Sequence, residues 1–188
     1  NIKLKATITS TAHYVPEKVL TNLDLERLVD TSDEWIQSRV GIKQRHVVAE
    51  NEASSDMSSK VAISLLKKRG ISASEMDVII IGTVTPDHPT PSTAAIVQDK
   101  INAENAWAFD LSAACSGFLY ALEAGAKFIE SGSYKTIMVI GVDTMTSNLD
   151  FKDRETCIIF GDGAGGVLLE PSYNNSGILG SVLKTCLL

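Results

Sequence analysis

A chain of 188 residues is long enough to bury a core of its own and suits one domain or one and a half. Hydrophobic residues make up 44% and charged residues 21%, which excludes a disordered chain, and no apolar run reaches the roughly 18 residues needed to span a membrane. The net charge of −6 argues against a nucleic-acid groove; three widely spaced cysteines, Cys115, Cys157 and Cys186, form neither a disulfide framework nor a zinc site. A cytoplasmic protein without a signal peptide is the expectation.

In chain order, Lys3 to Thr9 alternates polar and apolar residues and predicts a half-buried strand, broken at Val15-Pro16-Glu17. Asn22 to Val29 predicts a short amphipathic helix with Leu25, Leu28 and Val29 on one side. Thr31 to Arg39 predicts a second, with Thr31 and Glu34 at capping-box spacing and Gly41 as its stop. Ser54 to Arg69 reads as a helix with Met57, Val61, Leu65 and Lys68 at helical intervals, and its cationic last turn before Gly70 suits the negative dipole end. Val78 to Ile81 is apolar throughout, the mark of a strand covered on both faces. The Pro-rich loop Thr85 to Pro91 leads to a helix from about Ser92 to Ile101. Ala106 to Phe109 ends another buried strand, and Thr136 to Val142 is a further one, closing at Asp143. Cys157 to Phe160 and Ala164 to Leu169 predict two strands around the tight turn Gly161-Asp162-Gly163, and Ile178 to Leu183 predicts one more. Such alternation gives a layered α/β fold with a mixed, largely parallel sheet.

The stretch from Phe109 to Leu122 holds the most chemistry. It turns from a strand through small residues into a helical pattern marked by Phe118, Leu122, Ala126 and Ile129, with Gly132 as a stop. Cys115 falls in or beside the first turn, where unpaired backbone N–H groups and the dipole favour an anion such as a thiolate. Ser112, Ala113, Ala114, Ser116 and Gly117 leave room for an acyl group. The same pattern also describes a buried helix in which Cys115 is a small hydrophobe. Cys157 and Cys186 read as buried strand residues. Gly161 to Gly166 lacks the Lys-Ser/Thr of a phosphate loop and precedes no helix, so a hairpin fits better. His13, His46 and His88 lie on unrelated segments without ligand spacing and read as surface or capping residues; no metal site is expected. Trp35 and Arg39, at i and i+4, set an aromatic plane beside a cation. That is either a surface contact or a place for a purine and phosphates.

Four segments taken together resemble the β-ketoacyl-acyl-carrier-protein synthase III family, thiolase-fold condensing enzymes that start bacterial type II fatty-acid synthesis. They are Thr31-Ser32-Asp33-Glu34-Trp35-Ile36, Arg39-Val40-Gly41-Ile42, the run from Asp110 to Phe118, and the run from Ile158 to Gly165. The resemblance implies a thiolase-like layered α/β fold, with residues 1–188 as one βαβαβαββ half of a duplicated unit, a mixed five-stranded sheet and a buried central helix. It implies Cys115 as the acyl-accepting nucleophile. Trp35 and Arg154 would hold the adenine of coenzyme A, Arg39 a phosphate and Thr31 a weaker contact. Met145 and Phe160 would line the acyl pocket, and Thr90 would be lent to it by the neighbouring subunit of a homodimer. The substrates implied are an acyl-coenzyme A and malonyl-acyl-carrier protein, with no cofactor, nucleic acid or membrane as partner. The family's catalytic His and Asn and one oxyanion-hole glycine come from a C-terminal half, so residues 1–188 are expected to be an N-terminal portion of a longer enzyme. Ser10-Thr11-Ala12-His13 stands where the family commonly has glycines, so the first turn is expected to differ. Two alternatives stay open: another thiolase-fold condensing enzyme, of the quinolone, polyketide-starter or 3-hydroxy-3-methylglutaryl-coenzyme A synthase type, and a non-catalytic half-length interaction protein.

Overall fold

Residues 4–174 and 176–186 are described in the structure, a computed structural model. Strand β1 (Lys5–Tyr14) is followed by a two-stranded ribbon, β2 (Lys18–Thr21) with β3 (Gln44–Val47), which encloses the short helices α1 (Asn22–Glu26) and α2 (Asp33–Val40). Then come α3 (Ser54–Arg69), β4 (Val78–Gly82), α4 (Thr93–Lys100), β5 (Trp107–Leu111), α5 (Gly117–Glu130), β6 (Ile137–Thr144), the single turn α6 (Arg154–Cys157) and β7 (Asp162–Ser172). Without the ribbon, its two helices and α6, the order is the βαβαβαββ that the resemblance implies.

The main sheet has five strands in the order β1-β7-β6-β4-β5. β4 runs parallel to β5 and β6, whereas β7 runs antiparallel to both β6 and β1. All of β4 is buried, as expected of a central parallel strand covered on both faces. Side chains alternate across the sheet. Ile79, Ile81, Met138 and Ile140 face Met57, Val61 and Leu65 of α3 and Val97 of α4. Val78, Ile80, Ile137, Val139 and Leu169 face Ala121, Ala126 and Ile129 of α5. A third, smaller core joins Leu25 and Ile36 of α1 and α2 to Cys157 and Ile158, with Trp35 and Phe151 packed against it.

Several expectations are corrected. The first strand is longer than Lys3 to Thr9; Lys3 lies outside the described residues, and β1 continues through Ser10-Thr11-Ala12-His13 to Tyr14 with an irregular register at Ile8/Ser10. α1 stops at Glu26, and the ribbon β2–β3 was not expected. The capping box is on α1: Thr21 Oγ1 accepts from Asp24 N–H (3.2 Å) while the Asp24 carboxylate accepts from Thr21 N–H (2.9 Å). α2 is capped instead by Ser32, whose Oγ accepts from Trp35 N–H at 3.1 Å. The hairpin at Gly161-Asp162-Gly163 and the strand from Cys157 to Phe160 are not formed. Asp153 caps a helical turn over Arg154–Cys157, and β7 starts at Asp162, whose carboxylate accepts from Val48 N–H and Thr146 N–H and so pins the strand's start to two loops. Ile178 to Leu183 is no strand: Ile178 N–H donates once to the Ala6 carbonyl (2.8 Å), then the chain leaves β1 with Leu179 and Val182 exposed. Cys157 is buried, but in α6; Cys186 is exposed.

Candidate active site

Cys115 lies in a short 3-10 turn, Ala114–Ser116, that carries the chain from β5 into α5. Its thiol-bearing residue is exposed, which removes the reading of a buried hydrophobe. Ala114 sits at φ 46°, a left-handed conformation that costs a non-glycine residue about 1–3 kcal/mol and marks a turn bent under constraint. The constraint is the close docking of α5 on the sheet. A Cβ on Gly82 would come within 2.8 Å of the Gly117 carbonyl carbon, and one on Gly141 within 3.1 Å of the Phe118 Cβ. Glycines at these points of β4 and β6 let the start of the helix reach the sheet. Ser116 makes no side-chain capping bond, so the first-turn N–H groups of α5 have no side-chain acceptor there and suit an incoming anion. Cys115 opens on a cleft of about 290 Å³ walled by Gly82, Phe118, Gly141, Gly161 and Gly165, narrow backbone walls that admit a slender chain.

Three aspartates stiffen the loops around this cleft. Asp110 accepts from Thr93 N–H and Ala94 N–H, both at 2.8 Å, at the start of α4. Asp143 Oδ1 accepts from Thr83 Oγ1, Val84 N–H, Thr85 N–H and Thr85 Oγ1 at 2.8–3.2 Å. Asp162 gathers Val48 and Thr146 as described. Each carboxylate sits at an end of a strand and satisfies loop N–H groups that no ladder reaches.

The second cluster is at α2 and α6. The Arg154 guanidinium carbon lies 4.6 Å from the centroid of the Trp35 ring, and that of Arg39 lies 5.9 Å from it. Both arginines are exposed, so each contact contributes about 0.5–1 kcal/mol. Trp35 rests on the third core below, which orients its face. An aromatic plane with two cations around it suits a flat base bearing phosphates.

With both clusters in place, the comparisons with known proteins decide the kinship. The family model of 3-oxoacyl-[acyl-carrier-protein] synthase III matches residues 109–186, from the end of β5 past β7. The β-ketoacyl-[acyl-carrier-protein] synthase III of Chlorobaculum tepidum is 59% identical over 168 residues, covering 89% of this chain and 51% of its own length. The chain is a relative of the β-ketoacyl-acyl-carrier-protein synthases III. Their thiolase-like fold is also its fold: the crystal structure of the Aquifex aeolicus synthase III superposes with a TM-score of 0.87 at 46% identity, over 90% of this chain and 55% of that one. The priming β-ketosynthase of the R1128 polyketide pathway superposes with a TM-score of 0.86 at 32% identity, over 89% of this chain and 50% of that one. The chain spans about half the length of the curated relatives it matches.

Among the positions that resemblance to the synthases III singles out, Trp35, Arg39 and Arg154 come together, and Cys115 has its own cleft. Met145 and Phe160 are half-buried and are near the cleft residues Asp143 and Gly161 in sequence, but neither is among the residues lining the cleft. Thr31 keeps its hydroxyl buried with no partner among the described residues, so it offers no donor to the surface. Thr90 is exposed on the loop before α4 and is not among the residues lining the cleft of its own chain. Cys157 is buried, and burial, then the neighbouring Asp153 carboxylate, pushes its thiol up, away from reactivity. No group of three or more His, Cys, Asp or Glu is placed to hold a metal ion among the described residues. His46 Nδ1 lies 2.6 Å from the Pro16 carbonyl, in a structural role. Sequence reasoning missed the loop-holding aspartates and two buried polar residues under the Trp35 cluster, Asn22 and Arg45. Asp143, at a strand end before Thr144 and Thr146, carried a local signal; nothing local marks Asp110, Asp162, Asn22 or Arg45.

Proposed function

We propose that this chain carries the nucleophile and the coenzyme-binding mouth of a condensing enzyme that starts fatty-acid synthesis. The observation that carries the reading is Cys115, exposed on a constrained turn at an uncapped helix start in a glycine-walled cleft. The Cys115 thiolate attacks the thioester carbonyl of an acyl-coenzyme A. A carbon–sulfur bond forms, and the oxyanion is steadied by N–H groups at the start of α5. Collapse expels coenzyme A as its thiolate, leaving acyl-Cys115, while Trp35, Arg39 and Arg154 hold the departing nucleotide. Malonyl-acyl-carrier protein then loses carbon dioxide, and the carbanion attacks acyl-Cys115, forming the new carbon–carbon bond and freeing the thiolate. His13, His46 and His88 do not line the Cys115 cleft, so the decarboxylation step is assigned to groups outside these residues. The working enzyme is a cytoplasmic homodimer that needs no metal or organic cofactor.

Brief labelling with iodoacetamide or an acyl-coenzyme A, followed by peptide mapping, tests the assignment. Cys115 is expected to react first, Cys157 not at all, and exposed Cys186, which lies on no helix start, only slowly. Faster modification of Cys186 would overturn it. The likeness to a priming β-ketosynthase of a polyketide pathway favours one second reading, a starter enzyme of polyketide synthesis. Product analysis of the intact enzyme with malonyl-acyl-carrier protein separates the two.

A further inference from the structure

Arg45, on β3, is 4% exposed, yet all its hydrogen bonds among the described residues go to neutral acceptors. Its Nε (3.2 Å) and Nη2 donate to the Ile158 carbonyl, at the C-terminal end of α6, and Nη1 donates to the Asn22 side-chain oxygen. Asn22 is itself buried, at 1% exposed. Its Nδ2 donates to Asp33 Oδ1 and to the Ile42 carbonyl, both at 2.8 Å. Asp33 is the first residue of α2 and Ile42 lies just past its last, so Asn22 grips both ends of that helix. The Asp33 carboxylate also accepts from Gln37 Nε2 one turn further along. One continuous polar chain thus runs from α6 through Arg45 and Asn22 to α2.

A buried cation with no counter-ion among the described residues is a costly way to fill a small core, and an apolar side chain of similar length would avoid the desolvation. What the guanidinium supplies is a planar fork that reaches acceptors on two sides at once, which a lysine does at one. Its backbone neighbour is equally tight: a Cβ on Gly161 would lie 3.0 Å from the Arg45 Cβ, so β3 and the segment after α6 touch directly. The fork joins α6, which carries Arg154, to Asn22 of α1, and Asn22 in turn holds both ends of α2, which carries Trp35.

We propose that Arg45 is a positioning residue for the coenzyme clamp, holding α6 against α1 and α2 so that Arg154 faces the Trp35 ring. This rests on the reading that the Trp35–Arg154 pair binds coenzyme A. The test compares acylation of Cys115 in the intact enzyme by an acyl-coenzyme A and by the matching acyl-pantetheine, which keeps the thioester but lacks the nucleotide. Arg45→Met is expected to raise KM for acyl-coenzyme A about tenfold with kcat within about twofold, and to leave acyl-pantetheine kinetics unchanged. Arg45→Lys, which retains one of the two links, is expected to fall between Arg45→Met and the unmodified enzyme. Equal losses with both thioesters would make Arg45 a general structural residue and overturn the proposal, as would no change with either. Trp35→Ala run alongside separates the two ideas. If it too fails to distinguish the thioesters, the clamp itself is misplaced and the proposal falls with it; if it distinguishes them and Arg45→Met does not, only the proposal falls. Should Arg45→Met not fold, Asn22→Ser cuts the same chain between Arg45 and α2 and is read in the same way.

Discussion

The Cys115 turn and the Trp35 cluster are built by opposite means. At the turn, backbone packs on backbone: Gly82 against Gly117, Gly141 against Phe118, and Ala114 held at φ 46°. At the cluster, two long exposed side chains lie over a ring at 4.6 and 5.9 Å, and the ring rests on a small core buried beneath. Repulsion at short range sets the first geometry; it is steep in distance and indifferent to salt. Weak Coulombic and dispersion terms set the second, shallow in distance and screened over about 8–10 Å at ordinary ionic strength. One methyl group is therefore a large disturbance at the nucleophile and almost none at the clamp, whereas added salt does the reverse.

Gly82→Ala is the strongest way to break this contrast. The three atoms nearest the new Cβ are backbone atoms, which have no rotamer to yield, so a loss of stability of about 1–3 kcal/mol is expected, with slower labelling of Cys115. Thermal melting and iodoacetamide kinetics check it, and an unchanged pair of values would show that β4 and α5 are not in tight contact. Next in size is Trp35→Ala, expected to weaken acyl-coenzyme A binding by ~1–3 kcal/mol, by analogy with bases stacked on aromatic side chains, while leaving Cys115 labelling as it was. Titration calorimetry reads the first and peptide mapping the second.

Arg39→Ala and Arg154→Ala sharpen the comparison from the electrostatic side. Each is expected to cost less than Trp35→Ala, about 0.5–1 kcal/mol, and the loss should shrink as salt rises from low to 0.5 M or so, since exposed charges are the ones screened. A penalty independent of salt would mean that the arginines act through packing. The smallest effect expected concerns the acyl group. Thr90 is exposed on the loop before α4, and under the proposed homodimer it would act on a neighbouring subunit's pocket. A threonine there leaves a deeper floor than an aromatic residue, and each extra buried methylene of the primer should gain roughly 0.8 kcal/mol, or about fourfold. The values of kcat/KM for acetyl-, isobutyryl- and octanoyl-coenzyme A, measured in the unmodified enzyme and in Thr90→Phe, are expected to shift towards acetyl in the variant. A strict acetyl preference in both would remove Thr90 from the pocket.

Local pattern was enough for elements whose neighbours surround them evenly. Val78 to Ile81 is apolar on both faces because helices lie on both faces of β4, and Ser54 to Arg69 carries one apolar stripe because only one side of α3 meets the sheet. Cys115 was legible for the same reason: a strand, a run of small residues and a helical period sit side by side in the chain, and a turn between them is a local event. Trp35 and Arg39 were visible as neighbours on one helix. Where the reading failed, the deciding partner was far away in sequence. Asp162 starts a strand instead of turning a hairpin because Val48 and Thr146 donate to it, 114 and 16 residues away. Ile178 to Leu183 has the composition of a strand, yet among the described residues it makes one backbone bond to β1, from Ile178 to Ala6, and no ladder.

The sequence alone determined the alternation of strands and helices, the layered class of the fold and the placing of Cys115 at a helix start, since each depends on residues within about one element's length. Only the tertiary structure decided that Arg154 comes to rest over Trp35, that Arg45 and Asn22 link α6 to α2, and that Cys186 is exposed while Cys157 is shut away. Those outcomes depend on which buried polar groups find partners once distant segments meet, and a chain read one window at a time does not contain that information.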